Sequence, residues 1–351
     1  MRKIYCSMRW GTMRMNKLKS MFKAKEMGVL LALAALCLIF SLAAPKFFTM
    51  ANLLNVTRQM AVISLVSIAM TFVIITGGID LSVGSIIAFA GICAAAMMAN
   101  GVPMAAACLL TIAIGGLVGL VNSVFIARLD MSPFITTLGT MTILRGLGFL
   151  YTGGYPIYDL PREFIQFGQG YFLGVPIPTI VLLAVAAAAH VTLRYTSFGR
   201  HVYAVGGNRD AALFSGVKVV RVNAWVYILS GLICALAAIL QTSRVGSALP
   251  TMGQGNELDA IAAVIIGGAA MSGGSGTILG TILGSAILGV LNNGLSLLNV
   301  NSYLMQVITG TVVILAILID KVRGALTRRS AVMKSRESLL RETREQKEAD
   351  T

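Results

Sequence analysis

The chain has 351 residues, 56% of them hydrophobic and 12% charged, with a mean hydropathy of +0.82 and a net charge of +14. So apolar a chain is excluded from the soluble globular class and reads as an integral membrane protein. The charge does not describe a nucleic-acid reader either: it gathers in residues 1–27 (eight Lys/Arg against one acid), in 321–351 (nine against five) and in Arg194, Arg200, Arg209, Lys218 and Arg221, with no basic face interleaved with stacking aromatics.

At about 20 residues per crossing the length accommodates about ten transmembrane helices, and the expected fold is an all-α polytopic bundle with interrupted spans. Apolar windows place these near 28–44, 60–76, 83–99, 104–127, 134–151, 177–193, 222–241, 259–271, 277–298 and 303–320. The first resembles a secretory signal in its basic flank, but nine more follow, so an uncleaved anchor is expected; Met8, Met13, Met15 and Met21 are alternative starts. Three parts result: a basic cytoplasmic segment 1–27, a transmembrane domain 28–320 containing the loop 194–221, and a charged cytoplasmic tail 321–351. An even number of crossings, with both termini inside, keeps that loop and the tail on the cytoplasmic side.

Between the second and third spans, Thr76-Gly77-Gly78-Ile79-Asp80-Leu81-Ser82-Val83-Gly84-Ser85 places a glycine pair and a carboxylate at membrane depth. The glycines permit a helix break, and Asp80, Ser82 and Ser85 can accept hydrogen bonds from amides freed where the next helix begins. Such backbone is tolerated only when buried in protein or lining a cavity, so Asp80 either caps that helix or, with Ser82 and Ser85, lines the path or gate of a substrate. Gly273-Gly274-Ser275-Gly276-Thr277-Ile278-Leu279-Gly280-Thr281-Ile282 echoes residues 77–86 in its paired glycines, later glycine and hydroxyl, and hints at an internal repeat with two broken spans. Gly84 with Ala88, Gly115 with Gly119, and Gly276, Gly280 and Gly284 recur every four residues, the spacing that lets helix backbones approach.

Other polar residues carry two readings each. Arg145 either snorkels to the interface or faces the pathway. Glu257 and Asp259 open the eighth span as caps or as a docking point for an external protein. Asn292 and Asn293 either join helices or meet substrate. Four of the five cysteines sit in apolar segments without metal-like spacing and read as small core residues, and His190 and His201 are lone histidines.

Thr76–Ser85, Gly206-Gly207-Asn208-Arg209 with Ser215-Gly216-Val217, Glu257–Val264 and Leu291-Asn292-Asn293-Gly294-Leu295, in this order, together resemble the permease subunit of bacterial ribose-type ABC sugar importers. The resemblance covers about residues 45–322. It implies a homodimer, an ABC ATPase on the cytoplasmic face that binds ATP and Mg, and an extracytoplasmic sugar-binding protein. It also implies that Arg200 and the segment Gly207, Asn208, Arg209, Ala211, Ala212, Leu213, Phe214, Ser215 and Gly216 are similar to a coupling helix, with Ala211–Phe214 as the face that enters the ATPase groove. The chain has no G-x-x-x-x-G-K-[ST] phosphate loop, so no cofactor is expected on it and the energy must come from elsewhere. The expected function is inward passage of a neutral monosaccharide, ribose first, through the bacterial inner membrane, without a covalent step. The alternative is an ion-gradient-driven secondary sugar transporter with Asp80 as coupling carboxylate.

Overall fold

The computed structural model describes residues 24–315 and 318. Nearly all of the basic segment 1–27 and the whole tail 321–351 therefore lie outside the described residues.

Within the described residues the apolar windows are largely helical. They form α1 (Ala24–Ala43), α2 (Met50–Ile75), α3 (Val83–Ala99), α4 (Met104–Ser123) and α5 (Pro133–Thr152), with α4 running into a π-turn at Val124–Arg128. A connection carrying α6 (Arg162–Gln169) and a two-residue hairpin, β1 (Tyr171–Phe172) and β2 (Val175–Pro176), leads to α7 (Ile177–Tyr195). Then come α8 (Ser197–Gly207), α9 (Arg209–Phe214), α10 (Val219–Val245), α11 (Asn256–Ile266), α12 (Ile278–Leu297) and α13 (Ser302–Leu315). Helix starts follow local chemistry: the side chains of Thr49, Thr196, Asn208 and Thr277 accept from the amides of Asn52, Gly199, Ala211 and Gly280, and prolines open α5 and α7.

Among the described residues six helices are long and apolar enough to cross a membrane: α2, α4 with its π-turn, α5, α7, α10 and α12. The apolar part of α1, α3 and α13 are shorter. The expected eighth span departs most from its window. Helix α11 has 11 residues, about 16 Å, too short to cross a bilayer unaided. The preceding segment turns into the bundle instead, with Ala248, Met252 and Gly253 buried, and α11 starts inside it. A hydropathy window responds to apolar residues whether they cross the membrane or line the interior.

Burial sorts the long helices. Windows of α2 and α12 are 78% and 67% buried and that of α10 is 56%, whereas those of α4, α5 and α7 are 22–28%. The first three form the centre and the others its outer wall. Most of the small-residue positions are where backbones meet, but Gly276 lies ahead of α12 and meets the side chains of Ala269 and Ile75 instead. A Cβ on Gly115 would strike Gly231 O of α10, one on Gly119 would strike Tyr227 O, and one on Gly280 or Gly284 would strike Gly267 O or Ala263 O at α11. A Cβ on Gly84 would strike Gly253 O, just ahead of α11, and the Glu257 carboxylate in the first turn of α11.

Candidate functional site

The break after α2 begins with a turn in which Gly77 N–H and Gly78 N–H donate to Ile74 O and Val73 O at 2.9 and 3.0 Å, with Gly77 at φ +82°. This reversal satisfies carbonyls that a helix end leaves free, and only glycine takes that dihedral without strain. Leu81 N–H then donates to Thr137 Oγ1 of α5 at 3.1 Å, anchoring the irregular segment to the outer wall.

Asp80 follows, 1% exposed. Its Oδ1 accepts from the Ser82 amide at 3.0 Å and from the Ser82 hydroxyl, and its Oδ2 accepts from Ser230 Oγ of α10 at 2.8 Å. Ser82 Oγ in turn accepts from Asn122 Nδ2 of α4 at 3.0 Å, and Asn122 Oδ1 accepts from Thr140 Oγ1 of α5 at 2.6 Å. One hydroxyl–amide chain thus ties the break to three helices, and no cation pairs with Asp80 among the described residues. Two expectations change here. Ser82, not Asp80, occupies the cap position of α3, and Asp80 takes only one backbone amide. Ser85 does not accept from an amide; its hydroxyl donates to Ser82 O at 2.8 Å. In this conformation protein seals the carboxylate away from any open path.

On the side of α3 toward its first turn, Glu257 Oε1 accepts from Gly255 N–H at 3.3 Å, while Oε2 is buried over Gly84 without a hydrogen-bond partner. Glu257 therefore lies between the first turns of α3 and α11, where both helix dipoles favour negative charge. Asp259, one turn into α11, is half-buried. Arg145 Nη1 donates to Pro250 O at 2.7 Å and Met252 O at 2.9 Å, holding the inward-turned segment before α11. Asn293 forms a reciprocal amide pair with Asn52 of α2, both bonds 3.0 Å, and Asn292 accepts from Thr309 Oγ1 at 3.4 Å. Both asparagines thus join helices.

The two glycine pairs that echo each other in sequence touch. Gly274 N–H donates to Ile75 O at 2.9 Å, and Thr71 and Thr281 share a 2.7 Å hydroxyl contact. Gly206 of α8 packs on Ile75 O and Gly274 so closely that a Cβ would overlap both, and Tyr203 donates to Gly276 O at 2.7 Å. The basic loop is thus largely helical, and α8 is seated on both breaks. Asn208 caps α9, Arg200 donates to Ser197 Oγ at 2.8 Å, and Arg209 pairs with Asp130 at 2.8 Å, both partners exposed. Leu213 and Phe214 are 56% and 89% exposed, but Ala212 is buried, so it is absent from the outward face formed by Ala211, Leu213 and Phe214. Gly207, Ser215 and Gly216 are exposed beside that face.

Residues 52–317 match the family described as branched-chain amino acid transport system, permease component. The chain belongs to this family. The permease is also 47% identical to the ribose import permease protein RbsC of Bacillus subtilis (strain 168), over 86% of this chain and 94% of that one. It is 43% identical to RbsC of Escherichia coli (strain K12), over 84% and 93%, and 36% identical to the D-allose transport system permease protein AlsC of the same strain, over 84% and 91%. No solved structure matches the permease.

Sequence reasoning missed Asn122, Ser230, Thr137, Thr140 and Asn52. Asn122 and Asn52 carried a signal, an amide inside an apolar run. Serine and threonine are common in such helices and satisfy themselves on the preceding turn, so nothing local distinguished Ser230, Thr137 or Thr140.

Proposed function

We propose that the permease is the membrane-spanning subunit of an ATP-driven importer that passes a monosaccharide, ribose first, into the cytoplasm by alternating access. The observation that carries this is the 47% identity to a ribose import permease along nearly the full length of both chains. The working unit is a homodimer in the bacterial inner membrane, with both termini inside and about ten crossings, the eighth made by α11 together with the non-helical residues that flank it. A separate ATPase holding ATP and Mg docks on α9, and a sugar-binding protein delivers substrate on the outer face.

The residues support a physical route for coupling. Leu213 and Phe214 supply the exposed anchor for the ATPase; α8 carries the displacement to Ile75 and Gly274; and the break between α2 and α3 is held by Asp80 through partners on α4, α5 and α10. Shifting between outward and inward states requires different contacts in each, and hydroxyl bonds to one sealed carboxylate are exchangeable without leaving a bare charge. Opening this joint exposes Asp80, Ser82 and Ser85 to the hydroxyls of a passing sugar.

Reconstitution in vesicles tests the reading. Uptake of ribose that requires both added ATPase and binding protein supports it. Uptake by the isolated chain, driven by a proton or sodium gradient, overturns it in favour of a secondary transporter.

A further inference from the structure

A groove of about 810 Å³ lies where α4 and its π-turn meet the start of α10, beside α9. Arg128, Arg209, Lys218 and Arg221 line it, with Asp210 the acid among them. Arg209 is committed to Asp130, whereas Arg128, Lys218 and Arg221 form no ion pair among the described residues and are exposed. Apart from Ser123, whose hydroxyl donates to Leu120 O, the remaining wall is apolar and takes in Leu213 of α9 at one edge. Leu120, Val124 and Val220 are 44%, 37% and 45% exposed and continue into the outward face of α4. Trp225, one turn beyond Arg221 on α10, is 56% exposed, as aromatic side chains are at the edge of a bilayer.

Cations alone suit any anion, and an apolar wall alone suits any acyl chain. Their stacking, charge at the helix ends and hydrocarbon along the helix flanks, is the profile of one molecule class. We infer that this groove binds an anionic glycerophospholipid, with its phosphate on Arg128, Lys218 and Arg221 and its acyl chains along Leu120, Val124 and Val220. The inference rests on the reading that residues 194–221 face the cytoplasmic leaflet. A lipid there bridges the π-turn, α10 and the base of α9, so it steadies the helix to which the ATPase is proposed to dock.

The test uses the full chain in nanodiscs containing equal phosphatidylglycerol and phosphatidylcholine, released into native mass spectrometry. Wild-type chain retains phosphatidylglycerol over phosphatidylcholine; the double variant Lys218→Gln, Arg221→Gln loses that retained lipid about tenfold, and Lys218→Arg, Arg221→Lys keeps it. Millimolar inorganic phosphate leaves the wild-type load unchanged. Equal retention of both lipids by wild type overturns the inference, as does an unchanged load in the glutamine variant. Displacement by inorganic phosphate shows a plain anion site and overturns the lipid assignment. Loss of ATPase binding by the glutamine variant with its lipid load intact assigns the groove to protein docking and has the same effect. No sugar, ATPase or binding protein enters the lipid measurement, so its result stands apart from the fate of the transport reading.

Discussion

Ser230, in the interior of α10, donates a 2.8 Å hydrogen bond to Oδ2 of Asp80, 150 positions earlier in the chain. The bond fastens the irregular segment between α2 and α3 to a long helix that starts beside α9. Without it, one oxygen of a carboxylate sealed from solvent loses its only partner.

Asp80→Ala is therefore expected to impair ribose uptake more than Asp80→Asn at matched membrane abundance. The amide oxygen still accepts from Ser82, and the amide nitrogen can donate to Ser230 Oγ. Ser230→Ala should fall between them, destabilising the break by roughly 1–3 kcal/mol. Equal uptake by the alanine and asparagine variants would remove Asp80 from the mechanism.

The close approach of α4 and α10 depends on Gly115, Gly119 and Gly231, each with a backbone atom of the facing helix where a Cβ would stand. Gly231→Ala must push the helices apart and should cost about 1–3 kcal/mol, read as a lower unfolding temperature in detergent. Gly139→Ala, a position with open space around it, serves as the control and should not destabilise. A matching loss in both variants contradicts the backbone-contact account.

Asn52 and Asn293 satisfy each other across α2 and α12. Either single leucine substitution leaves an amide with one partner fewer inside the bundle. The double substitution removes both and should be milder than the sum of the singles, with a coupling of about 0.5–1.5 kcal/mol. Strict additivity in the thermodynamic cycle would show that the pair contributes no interaction.

At α9, exposure separates docking from folding. Phe214→Asp and Leu213→Asp should leave the permease in the membrane at normal abundance while cutting sugar-stimulated ATP hydrolysis by the assembled transporter. Ala212→Leu forces bulk into a buried position and should lower abundance or stability instead. Undiminished stimulated hydrolysis in both aspartate variants would rule out α9 as the coupling element.

Arg209 and Asp130 are both exposed, so their ion pair contributes at most about 1 kcal/mol and is screened by salt. Arg209→Glu should reduce stimulated hydrolysis, and adding Asp130→Arg should restore it if the pair merely orients α9. Failure of the swap to rescue would assign Arg209 to the ATPase surface itself.

Local chemistry determined a large share of this protein. Apolar windows marked the helices, Gly77-Gly78 and Asp80 marked the broken span, and glycines four apart marked the close helix contacts, because each signal is carried by neighbours in sequence. The echo between residues 77–86 and 273–282 was legible as pattern alone. That the two glycine pairs pack on each other beneath Gly206 was not.

Tertiary packing alone decided the partners. Asp80 found Ser230 rather than the cap position, Ser82 found Asn122 at a separation of 40, and Asn293 found Asn52 at 241. Arg145 turned to carbonyls of the inward segment, Ala212 turned away from the exposed face, and α11 became a short helix beginning inside the bundle. The physical reason is common to all of them. In a hydrophobic bundle a polar side chain must satisfy itself on whichever helix lies opposite, and helix adjacency is set by the close packing of many small contacts that no stretch of sequence carries by itself.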